Sequence, residues 1–218
     1  FTESILGVCF NTSLLKYGGD LAVGSMTVLS TLMQFCMLPL TGLTQGAQPI
    51  TSYNFGAGNY TRVKASFKIL LKTCIGYSTG IWLVVMLFPS AFVRLFNNGN
   101  SQLIEYASWS LRIYAAMLLL MGIQTACQQT FIAIGNAKTS FFLACLRKII
   151  LLIPLIYILP HFFEAKDFAV FLAEPVADFI AVTTTVILFT KQFKRAVSGK
   201  STQSVPLSAE GKEEKLKA

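Results

Sequence analysis

Long apolar segments alternate with short polar connections along nearly the whole chain. The apolar segments lie at about residues 1–15, 21–43, 69–93, 103–134, 138–159 and 168–190. About 20 helical residues are enough to cross the hydrocarbon core of a bilayer. The pattern therefore predicts an all-α integral membrane protein, a bundle of about six transmembrane helices. The first segment is short and does not begin with methionine, so we expect it to be a truncated helix.

The composition changes after residue 190. Residues 191–218 are rich in Lys, Ser, Glu and Gly and hold few apolar side chains. Such a segment buries too little apolar surface to fold by itself. The predicted organisation is therefore a transmembrane lobe at 1–190 and a disordered basic tail at 191–218.

The charges support a membrane location. Charged residues make up 13% of the chain and hydrophobic residues 54%, whereas soluble domains carry about 25% charged residues. The formal net charge of +8 could suggest nucleic-acid binding. However, most of the basic residues lie between the apolar segments and in the tail, so they indicate membrane topology and no nucleic-acid partner.

The basic residues form two unequal groups. The larger group, which includes the tail, consists of Arg62, Lys64, Lys68, Lys72, Lys138, Lys191, Lys194, Arg195, Lys200, Lys212, Lys215 and Lys217. The smaller group consists of Lys16, Arg94 and Lys166. Because Lys and Arg accumulate in cytoplasmic loops, we expect a multi-pass protein of the plasma membrane whose C-terminal tail is cytoplasmic.

Residues 42–58 are polar but carry no charge, and Gly46 and Pro49 interrupt them. Irregular backbone at membrane depth is tolerated where it is buried in protein or lines a watery cavity. We therefore expect the helix to kink or unwind near Pro39. The candidate cavity-lining residues of this stretch are Gln45, Gln48, Tyr53 and Asn54. The alternative is an ordinary turn after a helix end.

Two acidic residues lie inside the last apolar segment. Glu174 and Asp178 are four residues apart and share a helix face, with Pro175 between them. Two carboxylates buried together repel, and a proton on one of them relieves the repulsion. Both are therefore candidates for ion coupling. The alternative is a structural ion pair with Arg147, which the helical rise places at a similar depth.

Other polar residues within the apolar segments are candidates for substrate contact. Gln124 and Gln128 share a face of the fourth predicted helix, and Tyr114 lies on nearly the same side. Neutral amides beside methionines and aromatic rings suit amphiphilic organic cations. The alternative is hydrogen bonding between helices. Glu3, in the first apolar segment, is a third candidate for ion coupling.

No motif indicates an enzyme, a metal site or a cofactor. The sequence has neither H-E-x-x-H nor a P-loop, and its one histidine, His161, follows a proline at a helix end. The five cysteines are scattered without a C-x-x-C pair. The chain is therefore expected to need no cofactor.

Three stretches resemble the C-terminal half of the multidrug and toxic compound extrusion (MATE) family. They are Q-G-A-Q-P-I-T-S-Y-N-F-G-A-G-N-Y-T-R-V at 45–63, A-I-G-N-A-K at 133–138 with R-K-I-I-L-L-I-P-L-I-Y-I-L-P at 147–160, and E-P-V-A-D at 174–178. The resemblance implies one lobe of a two-lobed transporter whose partner is the N-terminal lobe of the same protein. It also implies antiport, in which drug-like organic cations leave in exchange for H+ or Na+.

The resemblance bears on the coupling ion as well. In part of this family, an acid on the helix that contains Glu3 helps to bind the cation, with a companion acid on the fourth helix. Here Gln124, Gln128 and Gln129 stand on that helix instead, so H+ is expected rather than Na+.

Two other functions remain open at this point. A flippase of lipid-linked oligosaccharides has a related fold. Its cavity should be strongly basic to hold pyrophosphate, and two arginines within spans, Arg112 and Arg147, are too few to indicate such a cavity. The second alternative is a membrane scaffold subunit that transports nothing. A pair of acids inside a span argues against it, because burying them in the membrane is costly and a scaffold does not need them.

Overall fold

The computed structural model describes residues 2–96 and 101–198, and nearly all of them are helical. The helices are α1 (Thr2–Gly56), α2 (Tyr60–Leu87), α3 (Pro89–Phe96), α4 (Ser101–Tyr114), α5 (Leu118–Ala133), α6 (Ala137–Cys145), α7 (Ile153–Ile158) and α8 (Lys166–Val197). A π-helical segment, Leu146–Leu152, joins α6 to α7, and a short 3-10 turn, Leu159–His161, follows α7. No strand occurs among these residues, and the all-helical membrane fold is confirmed.

Several helices among the described residues are long and apolar enough to cross a membrane. Four helical stretches are long and apolar enough to span: α1, α2, α8 and the continuous helix Ala137–His161. α4 and α5 are apolar enough to span as a pair bent by 50°. α1 has 55 residues and is divided at Gly19 into two arms, residues 2–18 and 20–56. Whether the two arms cross the membrane separately, as the six predicted segments require, stays a prediction.

Glycine makes the division of α1 possible. Gly19 has φ 66° and ψ −162°, a conformation that side chains with a Cβ rarely adopt. Beside it, a Cβ on Gly18 would lie 2.5 Å from the Cβ of Ala22. The polar connection between the first two apolar segments, residues 16–20, thus contains a sharp break between two arms.

The predicted unwinding near Pro39 is wrong, because the second arm stays helical through Pro39 and Pro49 to Gly56. Neighbouring side chains satisfy carbonyl groups of this arm. The Tyr77 hydroxyl of α2 donates to the Cys36 carbonyl over 2.9 Å, in the turn that precedes Pro39. The loop that follows turns at Gly58, which has φ 73°.

α4 and α5 meet at a bend that the sequence does not signal. The continuous helix predicted over 103–134 is interrupted at residues 115–117. Two side chains of α2 bind carbonyl groups at the bend: Trp82 Nε1 donates to Ala116 over 3.1 Å, and Ser78 Oγ to Leu119 over 3.1 Å. In a membrane, such backbone groups need a protein partner because lipid offers none.

α2 and α5 approach each other most closely at Gly122. A Cβ there would lie 2.4 Å from the Cys74 carbonyl oxygen and 2.5 Å from Ser78 Oγ.

Gly122→Ala would therefore force the backbones of α2 and α5 apart. We expect it to lower the free energy of unfolding by about 1–3 kcal/mol, measured as a lower melting temperature of the full-length protein. Gly80→Ala, which meets no atom within 4 Å, is the control. Equal melting temperatures for the two variants would contradict this close packing.

The last helix continues beyond the predicted boundary. α8 extends to Val197, so residues 191–197 are helical where the sequence predicted a disordered tail. The cause is an aromatic cluster in which Phe193 packs on Phe189 at 4.8 Å and on Phe67 of α2 at 5.2 Å between ring centroids. Val197 is buried as well. The remainder of the predicted tail, residues 199–218, lies outside the described residues.

Candidate functional site

A buried ion-pair cluster joins α8 to the π-helical segment. Arg147 Nε donates to Asp178 Oδ1 over 2.5 Å, and Arg147 Nη2 to Glu174 Oε1 over 3.2 Å. The side chains of Asp178, Glu174 and Arg147 are 4%, 12% and 19% exposed. We call these three residues the triad. It brings together Arg147 and Asp178, which the helical rise placed at a similar depth, and adds Glu174 to them.

Two prolines shape the backbone around the triad. Pro154 follows the π-helical segment that carries Arg147, and a proline within a helix both lacks a donor and crowds the preceding turn. π-helical turns interrupt α-helices mostly at functional sites. Pro175 stands within α8, directly after Glu174. The helix that carries Arg147 is therefore irregular where it meets the two acids, whereas α8 stays α-helical through Pro175.

Other polar groups surround the triad. Tyr114, the last residue of α4, is 9% exposed and interacts electrostatically with all three members of the triad. Lys148 is half-buried and interacts with both carboxylates. Glu174 Oε2 is buried and has no hydrogen-bond partner within the described chain. Glu174 Oε2 is therefore a buried carboxylate oxygen of the triad that could accept a hydrogen bond or a proton.

The two glutamines of the fourth span have different surroundings. Gln128 Nε2 donates to the Ser140 carbonyl of α6 over 3.3 Å, which is the interhelical role considered as the alternative. Gln124 is 2% exposed, and its Oε1 has no partner in the described structure. A buried amide oxygen without a donor is costly, so Gln124 is the better candidate for contact with a ligand.

The polar residues at the end of α1 lie apart from the triad, beside the start of α2. Gln45 and Tyr53 are exposed, and Gln48 is partly exposed. Asn54 is buried and donates from Nδ2 to the Ile50 carbonyl over 2.8 Å. Glu3 lies in the first turn of α1, and its side chain is outside the described part of the structure.

An apolar groove lies between the bend of the fourth span and α8, and none of the triad residues lines it. Met117, at the bend of the fourth span, lines it together with Pro175 and Phe179 of α8, and the volume of the groove is about 430 Å³.

The bend could not be predicted from the sequence, because no glycine or proline occurs at residues 115–117. The position of Lys148 near the two acids was not predicted either, because in the sequence it is only a basic residue that follows Arg147 in an apolar segment. Among the described side chains, no group of three or more His, Cys, Asp or Glu could hold a metal ion.

Comparison with known proteins identifies the family. The family model named MatE matches residues 1–158. The multidrug export protein MepA of Staphylococcus haemolyticus is 27% identical over 180 residues, which cover 82% of this chain and 39% of that protein. MepA of Staphylococcus aureus (strain NCTC 8325 / PS 47) is 30% identical over 172 residues, covering 75% of this chain and 36% of MepA.

Solved structures show the same fold. The MATE multidrug transporter DinF-BH is 33% identical with a TM-score of 0.76, over 90% of this chain and 43% of that one. A multidrug resistance MATE family transporter in its inward-facing conformation reaches a TM-score of 0.84 at 16% identity, over 92% of this chain and 46% of that one. The chain thus spans less than half the length of these relatives. It belongs to the MATE family of secondary multidrug transporters.

Proposed function

We propose that the full-length protein is an antiporter that exports amphiphilic organic cations in exchange for protons. The observation that carries the proposal is the triad, a buried group of two carboxylates and one guanidinium within membrane-spanning helices. Ionisable residues at such depth are costly and mark ion or proton pathways in transporters. The chain supplies one lobe, and the N-terminal lobe of the same protein would supply the other.

Within the triad, we assign the proton to Glu174 and a positioning role to Asp178. Asp178 is held by Arg147 at 2.5 Å, whereas Glu174 is bound at 3.2 Å through one oxygen and leaves Oε2 free. With both acids ionised, the triad has a net negative charge; a proton on Glu174 neutralises it. Lys148 interacts electrostatically with both carboxylates, so a positive charge on it would offset part of that negative charge.

The same geometry favours a proton over a sodium ion. A sodium ion needs several oxygen ligands at once, and Arg147 already binds one oxygen of each carboxylate. A proton needs only the free oxygen of Glu174. The absence of an acid at Gln124, on the fourth span, is consistent with this choice.

The fourth span and α8 offer two kinds of contact that suit an amphiphilic substrate. The apolar groove at Met117 offers a surface for the hydrophobic part of such a molecule, and the unpaired Gln124 oxygen can accept a hydrogen bond. An ionised Glu174 attracts a cation and a protonated Glu174 does not, so proton binding would release the substrate. We place the protein in the plasma membrane with the basic ends of α2 and α8 on the cytoplasmic side.

An efflux assay tests the proposal. The full-length protein is reconstituted into vesicles, and transport of a fluorescent organic cation is followed under an imposed pH gradient or an imposed sodium gradient. We expect transport with the pH gradient alone, and its loss on addition of a protonophore. Transport driven only by sodium would overturn proton coupling. Movement of a lipid-linked oligosaccharide without movement of the dye would favour the flippase.

A further inference from the structure

Eight exposed basic residues lie at one end of the bundle, which we call the basic end. They are Arg62, Lys64, Lys68 and Lys72 of α2, Lys138 of α6, and Lys191, Lys194 and Arg195 of α8. Contacts between the three helices bring them together. Phe67 of α2 packs on Phe189 of α8 at 4.6 Å between ring centroids. Asn136, which precedes α6, donates to Gln192 of α8.

No acidic side chain balances the basic end within residues 2–96 and 101–198. The ion pairs of Arg147 lie at the triad, away from the basic end. Asp167 lies at the far end of α8, where it accepts a hydrogen bond from Tyr106 over 2.7 Å. No Asp or Glu occurs between Asp20 and Glu105. The basic end is therefore a concentrated positive surface that requires an anionic partner.

Exposed apolar side chains stand beside or one turn away from these basic residues. Ile69, next to Lys68, is 67% exposed, and Phe141, one turn after Lys138, is 72% exposed. Ile187, one turn before Lys191, is 50% exposed. Basic side chains close to exposed apolar ones match the two parts of a phospholipid: its phosphate at the membrane surface and its acyl chains below.

We propose that the basic end binds anionic phospholipids, with Lys64, Lys68 and Lys194 as the principal phosphate ligands. These three lysines lie within one turn of the Phe67–Phe193 contact, so the packing of α2 on α8 fixes their spacing. A soluble acidic protein would have no use for the exposed apolar side chains beneath them. The inference concerns lipid recognition and does not depend on the proposed coupling at the triad.

Native mass spectrometry of the full-length protein in a neutral detergent tests this inference. The protein is titrated with phosphatidylglycerol or with phosphatidylcholine, and the bound lipids are counted. The patch variant carries Lys64→Gln, Lys68→Gln and Lys194→Gln. The matched control carries Lys16→Gln, Arg94→Gln and Lys166→Gln, which remove the same charge elsewhere.

We expect the wild type to bind phosphatidylglycerol more tightly than phosphatidylcholine. Each charge removed from the patch should weaken phosphatidylglycerol binding roughly fivefold at low salt, while the control variant keeps the wild-type affinity. Replacing the same three lysines with arginine should preserve binding and show that the patch position tolerates substitution. Equal binding of both lipids by the wild type, or equal losses in the patch and control variants, would overturn the proposal.

Discussion

Glu174→Gln in the full-length protein should abolish pH-driven export while the folded yield stays normal. The amide has the shape of the protonated acid and still offers an oxygen to Arg147, which binds Glu174 Oε1 over 3.2 Å. Glutamine cannot lose a proton as Glu174 does, so the exchange cycle stops in the state that corresponds to protonated Glu174. Two measurements check this: membrane expression, which should equal that of wild type, and transport under a pH gradient, which should fall to background.

The control for this prediction is Glu164→Gln, which removes an exposed acid before α8 and should leave transport unchanged. Substrate binding by Glu174→Gln should also lose its pH dependence, a change that a merely structural role would not cause. The opposite assignment makes a different prediction. If Asp178 carries the proton, Asp178→Asn will be the variant that folds and fails to export, and Glu174→Gln will transport normally.

Arg147→Met should have the largest effect on folding. It leaves Asp178, which is 3% exposed, and Glu174 without their guanidinium. Removing one partner from a buried ion pair typically costs about 3–5 kcal/mol. We therefore expect a severe loss of monodisperse protein in fluorescence-detected gel filtration. Arg112→Met is the control, because Arg112 is an exposed arginine of α4 and its loss should change the yield little.

A double variant separates loss of charge balance from loss of packing. Arg147→Met combined with Asp178→Asn leaves Glu174 as the one acid of the former triad, which can become neutral by holding a proton. The folded yield should then recover toward the wild-type level. Normal yield of the single Arg147→Met variant would show that the triad does not stabilise the fold, and the assignment of a positioning role to Asp178 would fail.

The sequence predicted features that follow from regular helix geometry. The apolar segments located the membrane-crossing helices, and the helical rise placed Arg147 and Asp178 at the depth where they meet. Features that depend on contacts between helices were not predictable. α1 remains helical past Pro39 partly because Tyr77 binds a neighbouring carbonyl. α8 continues beyond residue 190 because Phe193 finds an aromatic partner in Phe67.

The candidate site shows the same division. Glu174 and Asp178 were recognisable from their spacing, but which of them Arg147 binds more closely depends on the π-helical segment. A π-helical turn holds more residues than an α-helical turn. The direction of the Arg147 side chain therefore does not follow from α-helical spacing. Gln124 and Gln128 looked equivalent on a helical face. Only the position of Ser140 on α6 makes one of them a bonded residue and leaves the other with an unpaired oxygen.

The bend between α4 and α5 is held by Trp82 and Ser78, which belong to a helix that the ribosome completes earlier. α2 is therefore already in the membrane when the fourth span is synthesised. Membrane helices insert first and pack afterwards, so the newly inserted fourth span has no partner for the Ala116 carbonyl until it docks on α2. Its bend is acquired during docking. Insertion of the fourth span and the formation of its bend are thus successive steps of biosynthesis.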